Sequence, residues 1–349
     1  MELGQLDHEE LVVRRGRRTG LYTIVAVHST VLGPSLGGCR LWRYENSAAA
    51  ARDALRLSRA MTFKAAAAGL SLGGGKGVIC AEPGPPPSGA ARSALLHDFA
   101  DTVNVLDGSY ITAEDVGTNA RDMAAIATRT SHVSGLGRSR GGSGNPSPFT
   151  ARGVEAAMRA CCERVFGSRH LRGRTVAVVG AGHVGSELAK RLKRAGAKLV
   201  LADIDPSKRE LARRLEATWA DPTAALLADV DVLAPCALGG SIDEVLIPRL
   251  RAQIVCGAAN NQLAHDGLAA DLAARGILFA PDYIVNAGGL INISVEFDSG
   301  GYDAAEARRR VDGIEETMRT ILDEAAAAGG TPLAAADRLA RRNLHPLGG

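Results

Sequence analysis

Residues 174–205, RTVAVVGAGHVGSELAKRLKRAGAKLVLADID, decide the fold. The apolar, β-branched run TVAVV leads into a turn made of Gly180, Ala181, Gly182, His183, Val184 and Gly185, and a helical pattern follows directly. A second apolar run then ends on Asp203. Strand, glycine turn, helix and strand in this order form the first unit of a dinucleotide-binding Rossmann domain. The first glycine makes the tight turn, the second lets the backbone approach a pyrophosphate, and the third lets helix pack on strand. The helix N-terminus offers free N–H groups and a positive dipole end to phosphate. Asp203 stands 23 residues after Gly180, near the spacing of ~20 at which a carboxylate meets the ribose hydroxyls. It would repel a 2′-phosphate, so the expected cofactor is NAD, with Lys208 and Arg209 leaving some dual use open.

Outward from this unit the βα rhythm continues. VDVLAPCA, AQIVCGAA and ILFAPDYIVN each read as a buried strand running into a small-residue turn. A long helix is expected over 304–328, a break at Gly329 and Gly330, and a last helix over about 332–342. On the other side a helix is expected over about 151–166. Before it, residues 134–150 (SGLGRSRGGSGNPSPFT) mark the clearest shift of composition, as in an interdomain crossing. The chain therefore divides into a substrate-binding and oligomerisation domain (1–134) and a Rossmann domain (135–330), with a C-terminal helix (331–349) packing back on the first. A chain of 349 residues is long enough for both.

The first domain also reads as an α/β layer. A strand or a hairpin arm is expected over 20–32, broken at Gly33-Pro34. Gly37 and Gly38 follow, where backbone can approach a ligand closely. A helix opens at Ser47 and runs to about Ala60. GVICAEP gives a short strand, 83–87 a loop, and Ser88 the start of a helix to about Val105. A strand over GSYITAEDVG ends on Glu114 and Asp115. Between them lies MTFKAAAAGLSLGGGKG (61–77), with Lys64 and Lys76 twelve apart in a segment of Ala, Gly and Leu. A lysine in a dry, glycine-lined pocket loses solvation, which lowers its pKa and makes it a general base. The other reading is an exposed lysine on a glycine loop.

Composition excludes several classes. Hydrophobic residues at 46%, charged residues at 23% and a net charge of +3 are ordinary for a globular protein. The cluster of Arg14, Arg15, Arg17 and Arg18 reads as a solvated turn, not a nucleic-acid patch. No apolar run approaches the ~20 residues that span a bilayer, and the acidic start MELGQLDHEE is no signal peptide. Six cysteines without ligand spacing, Cys161 and Cys162 adjacent, read as reduced thiols of a cytoplasmic protein. His28, His97, His132 and His183 have no partners at metal spacing, so no metal is expected.

Taken together, LGPSLGGCRLW (32–42), MTFKAAAAGLSLGGGKG (61–77), YITAEDVG (110–117), SGNPSPFTARGV (143–154), VGAGHVG (179–185), APCALGG (234–240), GAANNQL (257–263) and APDYIVNAGGLIN (280–292) resemble the amino-acid dehydrogenases of glutamate, leucine, phenylalanine and valine. The likeness spans nearly the whole chain and is strongest to the leucine members. It implies an α/β protein whose N-terminal domain has a mixed sheet and whose active site lies in the cleft before a C-terminal Rossmann domain. It implies oxidative deamination of an L-amino acid to the 2-oxo acid and ammonia with NAD. By resemblance Lys64 binds the substrate carboxylate, Lys76 is the base, and Asp115 handles protons at the amine. Asn260 bridges substrate and nicotinamide ribose, Thr150 meets the carboxamide, and Ala237 and Arg40 reach the cofactor. Gly37, Leu36, Ala113, Leu290 and Ile293 fall around the substrate. These are apolar or small, with nothing to hold a second carboxylate, so glutamate is not the expected substrate. Cys39 and Leu290 depart from the leucine members, in place of the usual Leu and Val, and one methylene shifts preference by only ~1–3 kcal/mol. Leucine, valine and isoleucine fit the reading, and phenylalanine stays open, as does a non-catalytic NAD-binding regulator of the same fold. The family also implies a homo-oligomer.

Overall fold

The run Tyr22–Ser29 is buried along nearly its whole length, because helices cover both faces of its sheet. The computed structural model describes residues 6–81, 84, 85 and 87–344, and the chain forms two units. The first holds the chain up to Asn145, Ile293–Asp303, and the chain from Ala340; the second holds Pro146–Asn292 and Ala304–Leu339. The start of the acidic N-terminus, parts of the 83–87 loop and the last five residues lie outside the described residues.

In the first unit the elements are β1 (Glu10–Arg15), β2 (Tyr22–Ser29), β3 (Ser35–Trp42), α1 (Ser47–Ala67), β4 (Gly73–Cys80), α2 (Gly89–Val103), β5 (Tyr110–Glu114) and α3 (Ala120–Ile126). The sheet order is β1-β2-β4-β3-β5. β2 pairs antiparallel with β1 and β4, while β3 is parallel to β4 and β5. The sheet is thus mixed. Strand alternation sorts the residues onto two cores. Ile24, Ala26 and Val78 pack with Ala50, Ala54 and Leu55 of α1. Val25, Val27, Cys39, Leu41 and Ile79 pack with Leu95, Phe99 and Met123 of α2 and α3.

Three expectations shift here. The helix expected to end near Ala60 continues to Ala67 and includes Lys64, because alanines buried against the sheet carry it on. Its cap is Asn46, whose side chain accepts from the Ala49 N–H, so Ser47 is already helical. The GGGK segment is no loop: Gly73, Gly74, Gly75 and Lys76 lie inside β4, and glycine is required by crowding. A Cβ on Gly37 of β3 would sit 1.7 Å from the Gly75 carbonyl oxygen. β1, β3 and α3 were not foreseen.

From Pro146 on the elements are α4 (Ser147–Phe166), β6 (Thr175–Val179), α5 (His183–Arg194), β7 (Lys198–Ala202), α6 (Arg209–Arg214), β8 (Thr218–Trp219), α7 (Pro222–Leu226), β9 (Val232–Pro235), β10 (Ile254–Val255), α8 (Leu268–Ala274), β11 (Leu278–Phe279), α9 (Asp282–Val285), α10 (Gly288–Ser294), α11 (Ala304–Asp312), α12 (Ile314–Ala327) and α13 (Pro332–Leu344), of which α10 and α13 end in residues counted with the first unit. The strands are all parallel in the order β11-β10-β9-β6-β7-β8. This is the doubly wound Rossmann architecture, reversing direction between β6 and β9. The single helix expected over 304–328 is two helices, α11 and α12, parted at Gly313. Among the described residues no helix is long and apolar enough to cross a membrane. All six cysteines are free thiols.

Candidate active site

The alternation of β4 decides where Lys76 points. A Cβ on Gly74 would meet Thr62 of α1, whereas one on Gly77 would meet Phe99 of α2. Even positions of β4 therefore face α1, and Lys76 belongs to that face with Gly74 and Val78. On β3 the register pairs Leu36 with Gly74 and Arg40 with Val78, so Leu36 and Arg40 share the face. On β5, Ala113 pairs with Gly38, and Asp115 follows two residues later. Lys64 sits in the last turn of α1, the helix that covers this side. The sheet thus gathers Lys76, Asp115, Arg40, Leu36 and Ala113 beneath the helix that carries Lys64.

Lys76 is only 5% exposed. Its Nζ donates to Asp115 Oδ2 at 2.6 Å, and Arg40 Nε donates to the same oxygen at 2.9 Å. Burial pulls the Lys76 amine below its ordinary range; Asp115 opposes this, and the Arg40 cation adds to it. For Asp115, burial pushes the carboxyl up, but the Lys76 and Arg40 charges and their hydrogen bonds outweigh it and hold it low. Asp115 is thus a carboxylate beside an amine that sheds its proton more readily than a solvated lysine. Lys64 and Lys76 are also the only lysines in the first 189 residues, where every other permanently basic side chain is arginine. Arginine cannot release a proton at accessible pH, whereas a lysine amine can.

In the second unit the glycine turn leaves β6 and meets the loop after β9. A Cβ on Gly180, which has φ +106°, would sit 2.7 Å from the Ala237 N, and one on Gly185 would sit 1.8 Å from the Gly180 carbonyl oxygen. A Cβ on Gly182 would meet nothing within 4 Å, so the start of α5 opens onto free space at the reversal of the sheet. His183 is the first residue of α5 and exposed, with Val184 half-buried beside it. Asp203 ends β7, its Oδ2 accepting from the Ala181 N–H at 2.6 Å and its Oδ1 from the Asp205 N–H at 2.8 Å. The carboxylate is pinned against the turn. Asn286 donates to Asn260 Oδ1 at 2.8 Å and to the Ala258 carbonyl, while its own Oδ1 is buried with no partner among the described residues. Thr150 lies in the first turn of α4, and a Cβ on Gly289 would come within 2.7 Å of its hydroxyl. Open helix terminus, pinned acid and orphaned amide acceptor fit a dinucleotide with a carboxamide end. Leu290 and Ile293 are both buried in α10, three residues apart and so on one helix side.

Family models match in both units. Residues 8–132 match the Glu/Leu/Phe/Val dehydrogenase dimerisation domain, and residues 201–340 match the glutamate/leucine/phenylalanine/valine dehydrogenase model. Residues 151–238 match the NAD-binding domain of D-isomer specific 2-hydroxyacid dehydrogenases. The chain is 43% identical to a leucine dehydrogenase of Bacillus subtilis, covering 98% of this chain and 92% of that one. The chain belongs to the glutamate/leucine/phenylalanine/valine dehydrogenase family. A valine dehydrogenase of Streptomyces albus is 42% identical over 97% of this chain and 93% of its own. The solved L-tryptophan dehydrogenase of Nostoc punctiforme superposes with a TM-score of 0.83 at 39% identity, covering 98% and 97% of the two chains.

This amino-acid dehydrogenase is an oxidoreductase acting on CH–NH2 with a nicotinamide cofactor. Sequence reasoning named Lys76 and Asp115 separately, and the fold brings them within hydrogen-bonding distance. It missed that Arg40 engages Asp115 and, through Nη1 at 2.9 Å, Asp53, which also accepts from Tyr44 and Arg56. The available signal was a lone arginine inside the otherwise apolar strand SLGGCRLW. It also missed Asn286.

Proposed function

We propose that this dehydrogenase carries out reversible, NAD-dependent oxidative deamination of an L-amino acid with an apolar side chain, leucine and its branched-chain relatives foremost. Amino acid, NAD and water become 2-oxo acid, ammonium and NADH with release of one proton. The observation that carries the reading is the buried Lys76–Asp115 pair in a chain of this family. NAD, when bound, accepts the hydride from the substrate Cα. Lys64 holds the carboxylate, and Lys76, as the neutral amine, takes a proton from the water that adds to the imine. Asp115 exchanges protons with the substrate nitrogen. By the family resemblance Leu36, Ala113, Leu290 and Ile293 fall around the substrate side chain, and all four are hydrocarbon, which leaves a second carboxylate without a partner. A panel of L-amino acids followed at 340 nm tests this. Leu, Val and Ile are expected to run ahead of Phe and far ahead of Glu; preference for Glu, or no NADH from any of them, overturns it.

Substrate binding and oligomerisation belong to the first domain (1–134) and the dinucleotide to the second (135–330). Gly180, Ala181, Gly182, His183, Val184 and Gly185 hold the pyrophosphate, Ala237 lines the turn, and Thr150 and Asn260 serve the nicotinamide end. The protein works as a homo-oligomer in the cytoplasm, where its six free thiols stay reduced.

Asp203 selects NAD over NADP, since its carboxylate accepts from ribose hydroxyls. Asp203→Asn removes the charge and keeps the shape. Losing a charge-assisted hydrogen bond of about 1.5–3 kcal/mol corresponds to a rise of about 10–100-fold in the KM for NAD. The KM for NADP should fall at the same time. Unchanged kcat/KM values with both cofactors would remove Asp203 from this role.

A further inference from the structure

Two cations end on one oxygen of Asp115. Lys76 Nζ and Arg40 Nε both donate to Oδ2, and among the described residues no hydrogen bond reaches Oδ1. Behind Arg40 stands Asp53 of α1, whose Oδ2 accepts from Arg40 Nη1 at 2.9 Å and from the Tyr44 hydroxyl at 2.7 Å. Arg56, one helical turn on, holds the other oxygen of Asp53 at 2.9 Å. The chain Tyr44–Asp53–Arg40–Asp115–Lys76 is continuous, and its inner members are largely buried.

We propose that Arg40 is a positioning residue of the deamination reaction, held by Asp53 and Tyr44, which locks Asp115 so that Oδ1 is left to the substrate amine and keeps Lys76 ready to lose its proton. This rests on the functional reading above, in which Lys76 is the base and Asp115 serves the amine.

The electrostatics require such a residue. A buried Lys–Asp pair left alone would settle as a closed ion pair, with the carboxylate holding the proton on the amine. A second cation on the same oxygen divides that attraction and repels the ammonium form. The groups around Lys76 are few. β3 contributes Arg40 and the thiol of Cys39, which burial keeps neutral. The exit of β5 contributes Asp115, and α1 contributes Lys64 in its last turn and Asp53 through Arg40. An arginine suits the place, because it stays charged and its planar fork reaches two carboxylates at once. In the sequence Arg40 looked like a cofactor contact; in the fold its Nε and Nη1 are both spent on carboxylates of its own unit.

The chain has six lysines, so protein labelled with 13C at lysine Cε gives a spectrum in which Lys76 is identified by its loss in Lys76→Arg. The titration midpoint of that resonance is followed in wild type, Arg40→Gln, Arg40→Lys and Asp53→Asn, beside the pH profile of kcat/KM for L-leucine. Removing the cation should raise the Lys76 midpoint in Arg40→Gln by about one pH unit, and the rising limb of the rate profile should move with it. Arg40→Lys should restore most of the wild-type position, and Asp53→Asn, which loosens Arg40 but keeps its charge, should move the midpoint by a smaller amount. Midpoints in Arg40→Gln and Asp53→Asn equal to wild type would overturn the inference, even if both variants lose activity, since a role in stability alone lowers rates without moving the limb. The two readings part cleanly. A shifted midpoint in an enzyme whose wild type oxidises no apolar amino acid would keep the electrostatic coupling and sink the proposed reaction; wild-type turnover with an unmoved midpoint would do the reverse.

Discussion

Lys76→Ala should lower kcat for oxidative deamination of L-leucine by about 1000-fold, the middle of the range for losing a positioned general base, which is about 4 kcal/mol at the transition state. The reason lies in what remains. Asp115 keeps Arg40 as its partner, so the carboxylate is not stranded, and the second unit is untouched. Binding of NAD, read by fluorescence or by thermal stabilisation, should therefore be unchanged. Lys76→Met, which keeps the length of the buried side chain without the amine, should be as inactive and closer to wild type in stability. A rate within tenfold of wild type in both variants would remove Lys76 as the base. The dependence on pH has a fixed sign. Burial holds the amine below its ordinary range, and the proposed role as a base needs the deprotonated form. Oxidation therefore rises with pH through an apparent pKa below the usual lysine value, and the limb is absent in Lys76→Met.

The second large effect concerns the floor of the site. Gly37→Ala places a methyl 1.7 Å from the Gly75 carbonyl oxygen and 3.1 Å from the Lys76 N. β3 and β4 are adjacent parallel strands in the middle of a five-stranded sheet. Neither can move aside without breaking its other ladder or the cores on both faces. The cost should exceed about 4 kcal/mol, at the far end of single substitutions, and appear as loss of folded protein or a large drop in the urea midpoint. Gly182→Ala is the control, because its Cβ meets nothing within 4 Å and its φ of −68° suits alanine. Its unfolding midpoint should fall far less, by no more than the small loss expected of alanine at a helix N-cap. Equal midpoints for Gly37→Ala and wild type would mean that the strands are not packed this closely.

Much of the chemistry was legible before any coordinates. The turn of Gly180, Gly182 and Gly185 and the acid Asp203 at the end of the next strand were legible in their spacing, because a βαβ unit is local and its turn chemistry is written in consecutive residues. The family was legible for a similar reason, since eight ordered segments repeat its pattern. Less legible was the first unit. The GGGK stretch looks like a flexible loop to any rule that treats glycine as a breaker. It is a strand because Thr62, Ser29, Tyr110 and Phe99 approach too closely for any side chain, and those residues are far apart in sequence.

What the sequence determined by itself was the set of parts: a dinucleotide-binding half, a lysine-bearing half free of other lysines, an acid at Asp115 and an apolar lining. What only the tertiary structure decided was their electrical arrangement. Strand alternation turns Lys76 and Arg40 to the same face, parallel pairing brings Asp115 beside them, and both cations end on one carboxylate oxygen. A proton's affinity for an amine depends on distances of a few ångströms and on water being shut out. Neither is a property of spacing along a chain, so the ease with which Lys76 gives up its proton had to wait for the fold.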